Sequence, residues 1–367
     1  MYKRSQKHPL IWKIFAVGFF LLALFTALHA AEPKMTDLEQ RTPGKLRVIF
    51  GGDVHFNWQI EQNIRDRSPS AVVAGVRDLF HAADLRVLNL ETVISAGVLP
   101  EPGRSHVFNG APDNLRVLEE LGVQAAMLAN NHAMDLGAAG LEQTQKHLAA
   151  RKILFAGAGK DPVAALSAVF FRAGKIRIAL LSGTEIGDER MWAADGRPGT
   201  ARGSMLPAAV AQVRPLVDHV IVNVHWGSEY HPYASPEQIA LARQLVRAGA
   251  SAVVGHHSHA LQGVESGPGY VVAYSLGNFL FGSSNPYQNH NALLVVEFEE
   301  GKRGVRTSTL VPMYGEYRKY GHAPALLSKP DAQALLPVLV FQSRRIAPDM
   351  KDRLSLNPDG TFSIKVD

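Results

Sequence analysis

Five short apolar runs in this chain close on side chains that can hold a metal ion. LRVIFGGDVH brings Asp53 and His55, LRVLNLE brings Glu91, and AAMLANNH brings Asn131 and His132. VIVNVHWG brings His225, and SAVVGHHSH brings His256, His257 and His259. Carboxylates, imidazoles and an amide together make a mixed oxygen and nitrogen cage. Such a cage suits manganese, iron or zinc better than magnesium, which prefers oxygen and water. Asp53 and His55 lie two apart, so an extended backbone puts both on one face. Glu91 is the only acid in its run, and its two oxygens make it a natural bridge between cations. Asn131 offers a neutral carbonyl oxygen, while His225 and the His257/His259 pair offer nitrogens. Seven ligands (Asp53, His55, Glu91, Asn131, His225, His257, His259) exceed the needs of one ion, which points to two. Two ions ~3.5–4 Å apart clamp a phosphoryl oxygen and acidify a bound water. His132, unligated beside Asn131, is then placed to protonate a leaving oxygen. Each of these residues also has a structural explanation when taken singly. An aspartate after two glycines shapes turns, and a strand-end histidine is often a packed core residue. The order and placement of all of them favour the metal reading.

The elements that must position these residues are legible as well. Near-continuous apolar runs are the mark of strands buried on both faces. Strand ends that converge on one edge of an α/β sheet form its usual ligand crevice. Between the runs, Ser68-Pro69 opens a helix expected to reach Ala83, and Asp113 is placed to cap one ending near Gly122. Residues 136–150 read as a third helix, and Ser235-Pro236 starts a fourth that ends at Gly249. This alternation, with the further strand 175–184, predicts a layered α/β domain. Residues 270–282, 291–300 and 305–313 read as consecutive antiparallel strands. The terminal segment holds a helix expected to break near Pro337. The loop 187–205 is long, polar and glycine-rich, as functional or mobile loops commonly are.

Composition narrows the function. Of 367 residues, 46% are hydrophobic and 19% charged, as in an ordinary globular protein. Lys3, Arg4, Lys7 and Lys13 account for all but one of the five net positive charges. The rest of the chain is nearly neutral, which argues against nucleic acid as a partner. Residues 1–31 combine a basic start, an apolar stretch over 14–28 and small residues at Ala30 and Ala31. That is the layout of an export signal, here a cleavable peptide or an N-terminal anchor, and it predicts a periplasmic or cell-envelope location. In the anchored case this segment would be the only membrane contact. Residues 32–45 read as a linker. No cysteine is present, so neither disulfides nor thiolate ligands are available.

The motifs GGDVHF, NLET, LANNHAMDLGAAGL, VNVHWGSEY, AGASAVVGHHSHALQGVE and AYSLGNFLFG resemble those of the CapA family of poly-γ-glutamate capsule synthesis. That family is similar to the calcineurin-like metallophosphoesterases. The resemblance spans about Val48 to Met313. It implies a four-layer α/β/β/α sandwich over residues 46–315, with residues 316–367 as an extension packed on the same domain. It also implies a two-metal site at the rim of the sheets. Asp53 and His55 match the Asp-x-His motif, Glu91 the bridging acid, and Asn131 and His132 the Asn-His pair. His225 matches a later histidine, and His257 and His259 match His-x-His. His256 is placed either to support His257 or to replace it. Two departures matter. Phosphoesterases usually bridge with aspartate where Glu91 stands. Many CapA-like chains carry Met or Asn at the position of His55, often followed by Leu-Gly-Arg, where this chain has Phe56-Asn57-Trp58.

Three functions follow as expectations. The first is an exported two-metal hydrolase of phosphoesters or related bonds in envelope polymers. The second is a non-catalytic capsule-assembly component that binds an anionic polymer or a synthase complex. The third is a metal-dependent amide hydrolase of poly-γ-glutamate itself. Fold alone does not choose among them.

Overall fold

A computed structural model describes residues 33–100, 106–282, 290–315 and 319–367. The chain divides into two units, Met1–Lys34 and Met35–Asp367, and the second carries every element below. The segment read as an export signal or anchor lies outside the described residues. Among the described residues, no helix is long and apolar enough to cross a membrane.

Two large sheets dominate, and the five metal-bearing runs are strands of them. In the first sheet β1 (Lys45–Val54), β2 (Leu85–Leu90) and β3 (Ala125–Met127) lie side by side and parallel. In the second, β4 (His219–His225) and β5 (Ala250–His256) are parallel neighbours. Strand alternation explains how each run can be apolar throughout. Val48 and Phe50 of β1 and Leu85 and Val87 of β2 enter a core shared with Ile178, Leu180, Ile221 and Val254 of the second sheet. Ile49, Leu88 and Leu90 face the other way, into a core with Ile64, Val72, Leu118, Leu141 and Leu148 of the helices. Each such side chain, fully buried, stabilises the fold by roughly 1.5–3 kcal/mol. Helices Leu206–Val213 and Pro236–Ala248 pack on strands of the second sheet.

Local signals set several boundaries. Ser235 and Gln238 form a reciprocal capping box, and Gly249, at φ 115°, ends that helix in the left-handed region. Ser68 accepts from the amide of Ala71 at 3.4 Å, but the helix it opens stops at Val73 and resumes as Arg77–His81. Asp113 makes no side-chain cap, and that region begins with a 3₁₀ turn, Pro112–Leu115.

Three further expectations are corrected. The linker 32–45 contributes an edge strand, Met35–Leu38, that pairs in parallel with Val169–Ala173. Residues 270–282 are not one strand. Tyr270–Ala273 joins the second sheet, and β6 (Asn278–Leu280) crosses to pair with β1 in the first. The helix Lys329–Arg344 runs through Pro337 unbroken. Both Pro337 and Gln333, whose carbonyl the missing N–H leaves free, are exposed, so water can take that carbonyl. Beyond this helix, Phe362–Ile364 pairs with Thr307–Tyr314 and extends the first sheet.

Candidate metal centre

Both sheets deliver their ligand-bearing strand ends to one place, and two glycines allow the close approach. A Cβ on Gly52 would lie 1.9 Å from the carbonyl oxygen of Gly277, and one on Gly255 would lie 2.0 Å from that of Tyr274. Only glycine lets β1 and β5 meet those neighbours. The next residues are Asp53 and His256. The backbone is left-handed at His257, φ 86°, and again at His259, φ 52°. Such conformations cost of order 1–3 kcal/mol each and cluster at functional sites.

Five of the seven expected ligands form two buried groupings that share Glu91. Glu91, His257 and His259 offer ligand atoms within 4.8 Å of one another, and so do Asp53, Glu91 and His225. Asn131 joins through His225, its Oδ1 lying 2.7 Å from Nε2. Glu91 is fully buried, yet no hydrogen-bond donor reaches either carboxylate oxygen. His225 Nε2 and His259 Nε2 stand 3.5 and 3.9 Å from its Oε1. Burial, then the nearby Asp53 and Glu229 charges, push the Glu91 carboxyl well above its usual range. Burial opposes the Asp53 carboxylate too, but the adjoining His256 and His259 imidazoles hold it well below the usual range. Burial, and then the His257 charge, push His225 well below the ordinary imidazole value. Burial, with His259 beside it, drives His257 down to about 3. These two imidazoles are therefore neutral near pH 7 and keep a lone pair for a cation. An unpartnered buried carboxylate ringed by neutral imidazoles fits a divalent metal.

Comparison with known proteins identifies the family. Residues 47–283 match the family described as "Bacterial capsule synthesis protein PGA_cap". The chain belongs to this capsule synthesis family. It is 32% identical over 330 residues to the "Capsule biosynthesis protein CapA" of Bacillus anthracis, covering 85% of this chain and 77% of that one. It is 25% identical over 315 residues to the "PGA biosynthesis protein CapA" of Bacillus subtilis, covering 85% and 81%. A "Probable polyglutamine synthesis accessory protein" of Mycobacterium tuberculosis is 32% identical over 211 residues, covering 54% of this chain and 55% of that protein.

His55 joins neither grouping of this capsule-family protein. Its Nδ1 faces the amide of Asn57 at 3.0 Å and its Nε2 the amide of Gly282 at 3.1 Å. A neutral imidazole accepts at only one nitrogen, so one of these contacts is a hydrogen bond in either tautomer. Burial, then His259 and His132, keep His55 well below the usual imidazole value. Its ring stacks on Phe108 at 4.6 Å and meets the edge of Phe281 at 4.0 Å. His256 supports Asp53, not His257, with Nδ1 3.2 Å from Asp53 Oδ1.

His132 diverges from Asn131, as the sequence predicts for adjacent residues. Its Nδ1 lies 2.7 Å from Asp135 Oδ2, which also accepts the Phe108 amide at 2.7 Å. The ring stacks on Phe108 at 4.0 Å, leaving Nε2 available.

Four positioning residues escape the sequence reading. Asn89 donates to Asp53 Oδ1 at 2.7 Å, and Asn278 Oδ1 lies 2.8 Å from His259 Nδ1, which turns Nε2 toward Glu91. Asp135 and Phe108 hold His132. Asn89 sits inside the Glu91 run, and Asn278 and Asp135 lie in motifs quoted above, so their types were visible but their partners were not. Phe108 carried no signal.

The loop 187–205 is strapped down. Gly199–Thr200 pairs with Ala158–Gly159, and Arg202 stacks on Trp192 at 3.8 Å.

Proposed function

We propose that this capsule-family protein is an exported hydrolase of phosphoesters in envelope polymers, dependent on two divalent transition-metal ions. The observation that carries the reading is Glu91, a buried carboxylate without a donor that belongs to both ligand groupings. In this reading Asp53, Glu91 and His225, with Asn131, hold one ion, and Glu91, His257 and His259 hold the other. The mixed donor set favours manganese, iron or zinc. When bound, the ions supply Lewis acidity toward a phosphoryl group. The chain supplies the rest. Asn89 and His256 orient Asp53, and Asn278 orients His259. Asp135 fixes the His132 tautomer with the proton on Nδ1 or, once the ring is charged, on both nitrogens. A protonated Nε2 can then pass its proton to the leaving oxygen. Support for a four-layer α/β/β/α arrangement comes from the one apolar core shared by both sheets and from helices packed on strands of each.

A second reading, assembly without catalysis, draws on the word "accessory" in the name of the Mycobacterium relative. The His132–Asp135 pair weighs against it, since a binding module needs no proton donor. Assay of the purified protein on phosphodiester, phosphomonoester and poly-γ-glutamate substrates, before and after chelation, decides between them. Hydrolysis of a phosphoester that chelation abolishes and manganese or zinc restores is the expected result. Metal-dependent cleavage of poly-γ-glutamate alone would move the activity to amide bonds. No hydrolysis by a metal-loaded sample would favour assembly.

A further inference from the structure

Two aromatic side chains at the metal centre are both exposed and both held in costly backbone conformations. Trp58 has φ 57° and is 52% exposed, while Tyr230 has φ 60° and is 37% exposed. A positive φ disfavours bulky side chains, and glycine would relieve it at either position. Trp58 precedes the helix Gln59–Arg67 and provides no side-chain cap, so helix formation does not require an indole there. Its ring instead meets His55 edge-on at 5.0 Å and Phe108 at 5.3 Å. Phe108 is the ring on which His132 stacks. Tyr230 is tied to the ligand loop, its amide donating to the carbonyl of Ser258 at 2.7 Å and its ring 5.9 Å from that of His259. Beside it in the chain, the carboxylate of Glu229 is exposed. Neither lip, residues 55–60 or 225–233, contains a lysine or arginine.

We infer that Trp58 and Tyr230, with Glu229, form a carbohydrate subsite, so that the substrate is a phosphoester bearing a sugar ring. This rests on the phosphoester reading above and names its substrate class. Flat aromatic faces receive the C–H face of a pyranose, and the Glu229 carboxylate accepts from ring hydroxyls. Neither of these two segments offers a cation to a polyanionic chain. The phosphate charge is left to the metal centre.

Calorimetry on the metal-loaded full-length protein tests this with non-hydrolysable phosphonate forms of the sugar phosphate α-D-glucose 1-phosphate and of glycerol 1-phosphate, two probes with similar charged ends. The wild type should prefer the sugar phosphate by about tenfold, the scale of one or two aromatic contacts. Trp58→Ala should bring the two affinities close to parity, with glycerol phosphate binding unchanged, and Trp58→Phe should restore most of the difference. Unchanged glycerol phosphate binding also certifies that the variant is folded. Equal discrimination by wild type and Trp58→Ala would overturn the subsite, as would a γ-glutamyl oligopeptide that binds more tightly than the sugar phosphate. Because binding is read without turnover, failure of the hydrolase reading stays distinct. Trp58-dependent sugar binding by a protein that hydrolyses nothing would remove the catalysis and keep the subsite.

Discussion

At the scale of single residues, the proposed function assigns holding a cation and moving a proton to different side chains. His132 contributes no atom to either ligand grouping, and its Nδ1 is engaged by Asp135 at 2.7 Å. Substituting it should therefore leave the metal and slow the chemistry. For His132→Ala the expected loss of turnover on an accepted phosphoester is ~10²–10⁴-fold, with metal content unchanged by elemental analysis. Full turnover in that variant would exclude His132 as the essential acid. The residue types were legible in the sequence because polar side chains stand out at the ends of apolar runs. Their final contacts were not. His55 lies two residues from Asp53, and the Asp-x-His spacing reads as a shared ion. The ring nevertheless finds the amides of Asn57 and Gly282 and the rings of Phe108 and Phe281, and three of these four partners lie far away in the chain.

At the scale of elements, β4 carries His225 at its end and His219 at its start, and the two histidines face opposite demands. His219 is fully buried, lies 4.2 Å from the ring of Phe298 in a stack, and finds a hydrogen-bond partner for neither ring nitrogen. Burial lowers its pKa from 6.5 to about 4. The folded chain thus keeps His219 neutral in a window where the unfolded chain protonates it. Stability is lost as pH falls from about 6.5 toward 4, because protons then favour the unfolded state. His219→Phe keeps the stack and removes the proton. Its thermal midpoint should fall less than that of the wild type between about pH 7 and pH 5, measured by circular dichroism on metal-free protein. Equal falls would show that His219 is not part of the acid sensitivity. The crossing at residues 274–277 teaches a related lesson about legibility. YVVAYSLGNFLFG has the length and apolar character of one strand, and the need to satisfy both sheets divides it. Periodicity reports burial, but it cannot report which sheet does the burying.

At the scale of the whole molecule, the centre joins the two sheets. Asp53 and Glu91 come from the first, and His225, His257 and His259 from the second. The order of these residues along the chain was readable, and so was the α/β alternation, because strands buried on both faces leave uninterrupted apolar runs. The edge strand Met35–Leu38 was not, since none of its four residues is buried and it sits in a polar, proline-containing stretch that looks like a linker. The central claim is that Glu91 bridges two ions between the sheets. Elemental analysis of purified, metal-reconstituted wild type and Glu91→Ala, with the fold of each checked by circular dichroism, tests it most directly. The account predicts close to two transition-metal ions per wild-type chain and the loss of both together in Glu91→Ala. A folded wild type that holds none, or a Glu91→Ala protein that keeps both, would contradict it.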